Sequence, residues 1–183
     1  MKVVIATQNL GKIREIKEII NLPGVETLSF LSFSEWSLNH KWPSVQETGK
    51  TFEENAVLKA KKFTKEFGLP SLADDSGLEV EVLEGAPGIL SARYAGSNST
   101  DEENNAKLLK ALEKYPPKKR KARYRCCAAL MAPDGKVFIA EGACKGVIGF
   151  GPRGSGGFGY DPLFIPEGYD KTMAELSLEE KNR

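Results

Sequence analysis

Two adjacent carboxylates, Asp74 and Asp75, close the short apolar run Leu72-Ala73 and are followed by Ser76-Gly77. In an extended segment neighbouring side chains point to opposite faces, so the two cannot serve one site together. One can bind or catalyse while the other braces the backbone or a second partner. Hard carboxylate oxygens suit a cation such as Mg²⁺, which takes one or two protein carboxylates and keeps its other positions for water and substrate phosphates. A solvated Asp-Asp turn closed by Ser-Gly is the competing reading of the same residues.

Other stretches offer matching chemistry. Thr51 and Glu54 form an S/T-x-x-E capping box, which predicts a helix over 52–67 with Phe52, Ala56, Ala60 and Phe63 on one face. Gly68 and Pro70 end it. Glu47 precedes that cap by a short turn, where it can reach a cation shared with Asp75. The ordinary acidic bias of helix starts accounts for Glu53 and Glu54 equally well.

Thr7-Gln8-Asn9-Leu10-Gly11-Lys12 links a strand predicted over 1–6 to a helix predicted over 13–20. Such a turn aims backbone N–H groups and a positive dipole end at an anion, although a plain β-to-α turn has the same composition. Lys12 at the helix start opposes the dipole, which a phosphate in front of it would remedy. The Walker A spacing is absent. Gly149 to Pro162 contains GxGxxG, but no helix follows and Pro152 stands where one should begin, so a dinucleotide fold is excluded. Phe, Tyr, Asp and Pro within it argue against a flexible linker. It reads as a loop that lets a ligand approach the backbone closely, with aromatic faces for a flat ring.

The elements that position these residues alternate between strand and helix. Strands are expected over 25–31, 78–83, 122–132 and 136–148, the last two joined by an Asp134-Gly135 hairpin turn. A helix opens at the Thr100/Glu103 capping box and stops before Pro116-Pro117. Thr172/Glu175 and Ser177/Glu180 mark further helical turns near the end. The stretch 32–44 is legible only as loop or short helix. At 183 residues, 40% hydrophobic and 28% charged, the chain reads as one globular domain over 1–183.

A net charge of +1 supplies no field for nucleic acid or membrane. Lys118 to Lys121, the one charge run, lacks interleaved aromatics and reads as a solvated loop. No apolar run reaches membrane-spanning length, and the first residues are too short an apolar run for a signal peptide. Cys126, Cys127 and Cys144 have no pairing or metal spacing, which suits a reducing, cytoplasmic setting. His40 has no nearby nucleophile and reads as a loop or packing residue.

A phosphate site, a cation site and a place for a flat base together describe a nucleoside triphosphate. With those residues in view the chain closely resembles the inosine triphosphate pyrophosphatase family. The shared motifs run in order: Thr7 to Lys12 (TxNxGK), Glu47 to Asn55, Leu72 to Leu78 (LADDSGL), Gly85 to Tyr94, Gly154 to Pro162 and Ala174 to Lys181. The resemblance implies a two-lobed α/β fold around a long central sheet, with the active site in the cleft between lobes, and a homodimer. It implies Mg²⁺-dependent hydrolysis of ITP, dITP and XTP to the monophosphate and pyrophosphate. By position, Thr7, Gln8, Asn9, Leu10, Gly11 and Lys12 would bind substrate, chiefly its phosphates. Glu47 and Asp75 would hold the metal, and Asp75 would also accept the proton of the attacking water. Ser76 would lie beside the substrate, Phe158, Gly159, Tyr160 and Asp161 would line the base pocket, and Lys181 would contact the nucleotide. The family continues past its EEK motif into a Ser-His-Arg segment that reads the purine 6-oxo group, then a final helix. This sequence ends at Arg183 before that segment, so base discrimination is where it is expected to depart. A pyrophosphatase with another base preference, and a nucleotide-binding module without catalysis, are the rival readings.

Overall fold

The first apolar run forms β1 (Lys2–Ile5), in which Val3, Val4 and Ile5 are buried, as a strand covered on both faces requires. This computed structural model describes residues 2–20, 29–32 and 43–181. β1 pairs in parallel with β2 (Ser29–Ser32) on one side and with β3 (Ser71–Val80) on the other. Parallel neighbours need crossovers; α1 (Leu10–Ile20) lies between β1 and β2, and α2 (Phe52–Phe67) between β2 and β3. α1 begins three residues before the expected Ile13, because Asn9 caps it. The expected strand over 25–31 lies mostly outside the described residues, as do most of the 32–44 stretch and His40.

α2 follows its sequence signals closely. Thr51 Oγ1 accepts from the Glu54 N–H, and Gly68 ends the helix in the left-handed region at φ 65. Phe52, Ala56, Ala60 and Phe63 are all buried, which gives the helix one apolar face.

β3 corrects the turn reading. Asp74, Asp75, Ser76 and Gly77 all lie inside a ten-residue strand whose residues alternate in burial up to Gly77. Pairing with β1 at Ser71 and Leu72 starts that extended run, which continues through the acidic pair to Val80. At its far end the strand stops at Val80, and Glu81–Leu83 is a 3-10 turn where sequence alternation had suggested strand. The chain reverses there, with Gly85 at φ 88 donating its N–H to Val80 O.

α3 (Asp101–Leu112) starts at the expected capping box, and β4 (Lys121–Met131) and β5 (Val137–Ile148) flank a turn with Gly135 at φ 89. β6 (Phe164–Pro166) runs antiparallel to the end of β5. Gly146 permits that pairing, since a Cβ there would sit 2.2 Å from Ile165 O. Among the described residues six strands form one mixed sheet in the order β2-β1-β3-β4-β5-β6. A short α4 (Leu178–Lys181) follows the 3-10 turn Met173–Glu175.

The fold is mixed α/β, and the chain divides into two compact units: Met1–Asp75 with Cys127–Glu141, and Ser76–Cys126 with Gly142–Arg183. In the first, Val3, Val4 and Ile5 of β1 and the apolar face of α2 are buried. In the second, Leu78, Val80, Leu108, Leu112, Leu163 and Phe164 form a continuous apolar cluster. Arg120, from the basic run, is buried in this unit and donates to Ile148 O and Gly149 O, while Lys118 and Lys119 are exposed.

Candidate active site

In the first unit, the turn after β1 organises itself through Asn9. Its Oδ1 accepts from the N–H groups of Gly11 and Lys12 at 2.9 and 3.2 Å, and Thr7 Oγ1 accepts from the Asn9 N–H. Gln8 and Leu10 are exposed, Leu10 to 75%. Lys12 Nζ lies 2.5 Å from Asp74 Oδ2. Its charge at the helix start is therefore balanced by a carboxylate of the same unit.

Asp75 faces the other way, as strand alternation demands. It is buried, with Oδ2 accepting from Asn55 Nδ2 at 3.1 Å and Oδ1 from Lys59 Nζ at 3.0 Å. Glu47 Oε1 reaches the same ammonium at 3.3 Å. Two carboxylates from different elements thus converge on one positive charge. Burial pushes the Asp75 carboxyl above its ordinary range, against the opposing pull of Lys59. Burial pulls Lys59 down, but Asp75, Glu47 and Asp74 outweigh it and raise the ammonium overall. Asn55 also accepts from the Gly49 N–H at 2.8 Å, which ties the Glu47 segment to Asp75. A pair of hard oxygen donors that already selects positive charge fits Mg²⁺, which needs no more than that from the protein.

In the second unit the Gly loop is held by Asp161. Its Oδ1 accepts from Tyr124 at 3.1 Å, and its Oδ2 from the Phe158 N–H at 3.0 Å and from Lys181 Nζ at 2.6 Å. Gly157 makes room for this carboxylate, since a Cβ there would meet Asp161 Oδ2 at 2.1 Å. Lys181 Nζ also stands 4.7 Å from the Phe158 ring centroid, a cation over an aromatic face. Tyr160 turns into the core, its hydroxyl donating to Ser91 O. Burial and the Asp161 carboxylate push the Tyr124 phenol well above its usual value.

Residues 3–183 match the Ham1 family. The dITP/XTP pyrophosphatase of Geobacter sulfurreducens is 51% identical over 99% of this chain and 88% of that protein. The chain belongs to the Ham1 family. A second relative, the dITP/XTP pyrophosphatase of Desulforamulus reducens, is 47% identical over 100% of this chain and 88% of that protein. The Ham1 protein of Staphylococcus aureus has a solved structure that superposes with a TM-score of 0.84, at 42% identity, over 100% of this chain and 90% of that one.

In this Ham1 chain the residues expected from sequence gather into three groups: Thr7 with Asn9, Glu47 with Asp75, and Phe158 with Asp161 and Lys181. Ser76 follows Asp75 on β3, half-buried. Lys59 and Tyr124 belong to these groups and escaped the sequence reading, and Asn55, the last residue of the Glu47 to Asn55 motif, had no role assigned by it. Asn55 and Lys59 stand one helical turn apart beside the apolar face of α2, the spacing that brings two side chains to one spot. A lysine bordering an apolar stripe reads as snorkelling, so that signal was masked.

Proposed function

We propose that this protein is a nucleoside-triphosphate pyrophosphatase that hydrolyses noncanonical purine nucleotides (ITP, dITP and XTP) to the monophosphate and pyrophosphate. The observation that carries the reading is the convergence of buried Asp75 and Glu47 on a single positive charge, in a chain whose relatives carry the name dITP/XTP pyrophosphatase.

Thr7, Asn9 and Lys12 are assigned to the phosphates, with Gln8, Leu10 and Gly11 completing that turn. Glu47 and Asp75 are assigned to Mg²⁺, which when bound would offset the negative charge of the phosphates. Asp75 acts as general base: it takes a proton from water as the water oxygen bonds to the α-phosphorus. The bond from that phosphorus to the bridging oxygen breaks, and pyrophosphate leaves. Geometry favours this role, because the Asn55 and Lys59 hydrogen bonds fix the orientation of the Asp75 carboxylate. Lys59 holds Asp75 in place and, with Lys12, adds positive charge near the reacting phosphates. Ser76, half-buried on β3, is assigned to the substrate by its place in the LADDSGL motif. Phe158, Gly159, Asp161 and Lys181 are assigned to the base, Phe158 by stacking and Asp161 by holding Lys181 and the loop, while Tyr160, turned into the core, anchors the loop through Ser91 O.

Val137, Phe138 and Ile139 on β5 are exposed apolar residues, which favours a homodimer. The cytoplasm, where nucleotide pools lie, is the compartment this activity calls for.

Pyrophosphate release in Mg²⁺ from ITP, dITP and XTP, with ATP and GTP as controls, tests the reading. ITP, dITP and XTP should be cleaved preferentially, and Asp75→Asn should lower turnover by about 10²-fold or more. Release of orthophosphate instead of pyrophosphate, or full turnover by Asp75→Asn, would overturn it.

A further inference from the structure

α3 carries two side chains that grip one residue of the Gly loop. Asp101 Oδ2 accepts from the Gly159 N–H at 2.6 Å, and Asn105 Nδ2 donates to the Gly159 carbonyl at 2.9 Å. Four residues apart, they project from the same face of the helix. Both backbone groups of Gly159 are therefore held from one rigid element. Gly159 itself stands at φ 60, a conformation that needs such fixing less for its own stability than for the direction it gives its neighbours.

The helix that bears the grip is itself pinned. The capping box Thr100/Glu103 fixes its start. Asn104, between the two gripping residues, accepts from the Ala95 N–H and donates to Ala92 O.

Asn105 also shows what the grip costs. Its Oδ1 is buried and has no hydrogen-bond partner. Turning the amide over would set that oxygen against the Gly159 carbonyl, so the orphaned acceptor follows from keeping the Nδ2 bond. A buried polar atom left unpaired in a native fold calls for a reason other than stability.

We propose that Asp101 and Asn105 are positioning residues for nucleotide recognition, clamping the Gly159 peptide so that the Phe158 ring and Lys181 keep their stacked geometry for the base. The proposal rests on the nucleotide reading above. It places the clamp on substrate binding and leaves the chemistry to Asp75.

Steady-state kinetics with ITP on Asp101→Ala, Asn105→Leu and Asp101→Asn, with denaturant midpoints for each, tests it. Asp101→Ala and Asn105→Leu should raise KM about tenfold while kcat changes less than about threefold, the pattern of lost uniform binding. Asp101→Asn, whose amide oxygen can still accept from Gly159, should keep KM within about threefold of the unaltered protein. Asn105→Leu should shift its denaturation midpoint little, because loss of the Nδ2 bond to Gly159 is offset by removal of the unpaired buried acceptor. Unaltered KM in Asp101→Ala and Asn105→Leu overturns the clamp. So does a fall in kcat that tracks loss of folded protein, or failure of Asp101→Asn to restore KM. An unaltered protein that releases no pyrophosphate overturns the nucleotide reading itself, and the two failures are told apart by that control.

Discussion

Replacing Lys59 with methionine removes the ammonium that contacts both Glu47 and Asp75, at nearly the same side-chain volume. The lysine and Asp75 side chains are only 14% and 11% exposed, and Glu47 is 29% exposed. Removing one partner of a buried ion pair costs about 3–5 kcal/mol, because the other charge is left uncompensated. Here Asp75 keeps its hydrogen bond from Asn55 and Glu47 keeps some solvent, so the cost falls to or just below the bottom of that range, about 2–3 kcal/mol. Urea denaturation at pH 7 in EDTA measures it. Adding Mg²⁺ at about ten times its dissociation constant should return about 1.4 kcal/mol, since the two carboxylates are then free to bind the cation. Asp75→Asn placed in the Lys59→Met background should recover stability in EDTA, because it discharges the stranded carboxylate. A Lys59→Met loss under about 0.5 kcal/mol, the size of an ordinary surface change, would refute the reasoning. Recovery by Mg²⁺ that persists in the double variant would also refute it.

Two further outcomes follow from the same contacts. A Cβ on Gly49 would lie 2.6 Å from Asn55 Oδ1 and 2.7 Å from Glu54 Cβ, so Gly49→Ala should cost about 1–3 kcal/mol in a denaturation series and lower turnover by displacing Asn55 from Asp75. Burial holds the Tyr124 and Tyr160 phenols protonated above their ordinary value of 10.0. The unfolded chain then releases protons that the fold retains, so stability present below pH 10 is lost as pH rises, by about 1.4 kcal/mol per tyrosine per pH unit. Urea midpoints should stay nearly level from pH 8 to about 10 and fall with that slope above it, and Tyr124→Phe and Tyr160→Phe should each reduce the fall.

Much of this site was legible in the order of residues. The TxNxGK turn, the Thr51 cap, the apolar face of α2 and the loop glycines all depend on local geometry that a short segment specifies for itself. Alternation in an extended chain sends Asp74 and Asp75 to opposite faces. That inference holds in the structure, where one meets Lys12 and the other Lys59. Local signals failed where two meanings share one composition. Asp-Asp-Ser-Gly favours a turn in isolation, but pairing with β1 starts the strand that carries it. Glu79 to Leu83 alternates like a strand, but the reversal around Gly85 ends β3 at Val80.

Residue types and short spacings fix which chemistry the chain can offer: hard carboxylates, a strand-to-helix turn bearing Lys12, an aromatic loop and no global charge. Those properties belong to residue types and spacings of a few positions. The tertiary structure alone decided the partners. Lys59 lies 16 residues from Asp75, Tyr124 lies 37 from Asp161, and Asn105 lies 54 from Gly159. No periodicity spans such separations. Burial then sets the energetics, since the carboxyl of Asp75, an ordinary acid in water, is raised and paired once β3 and α2 enclose it.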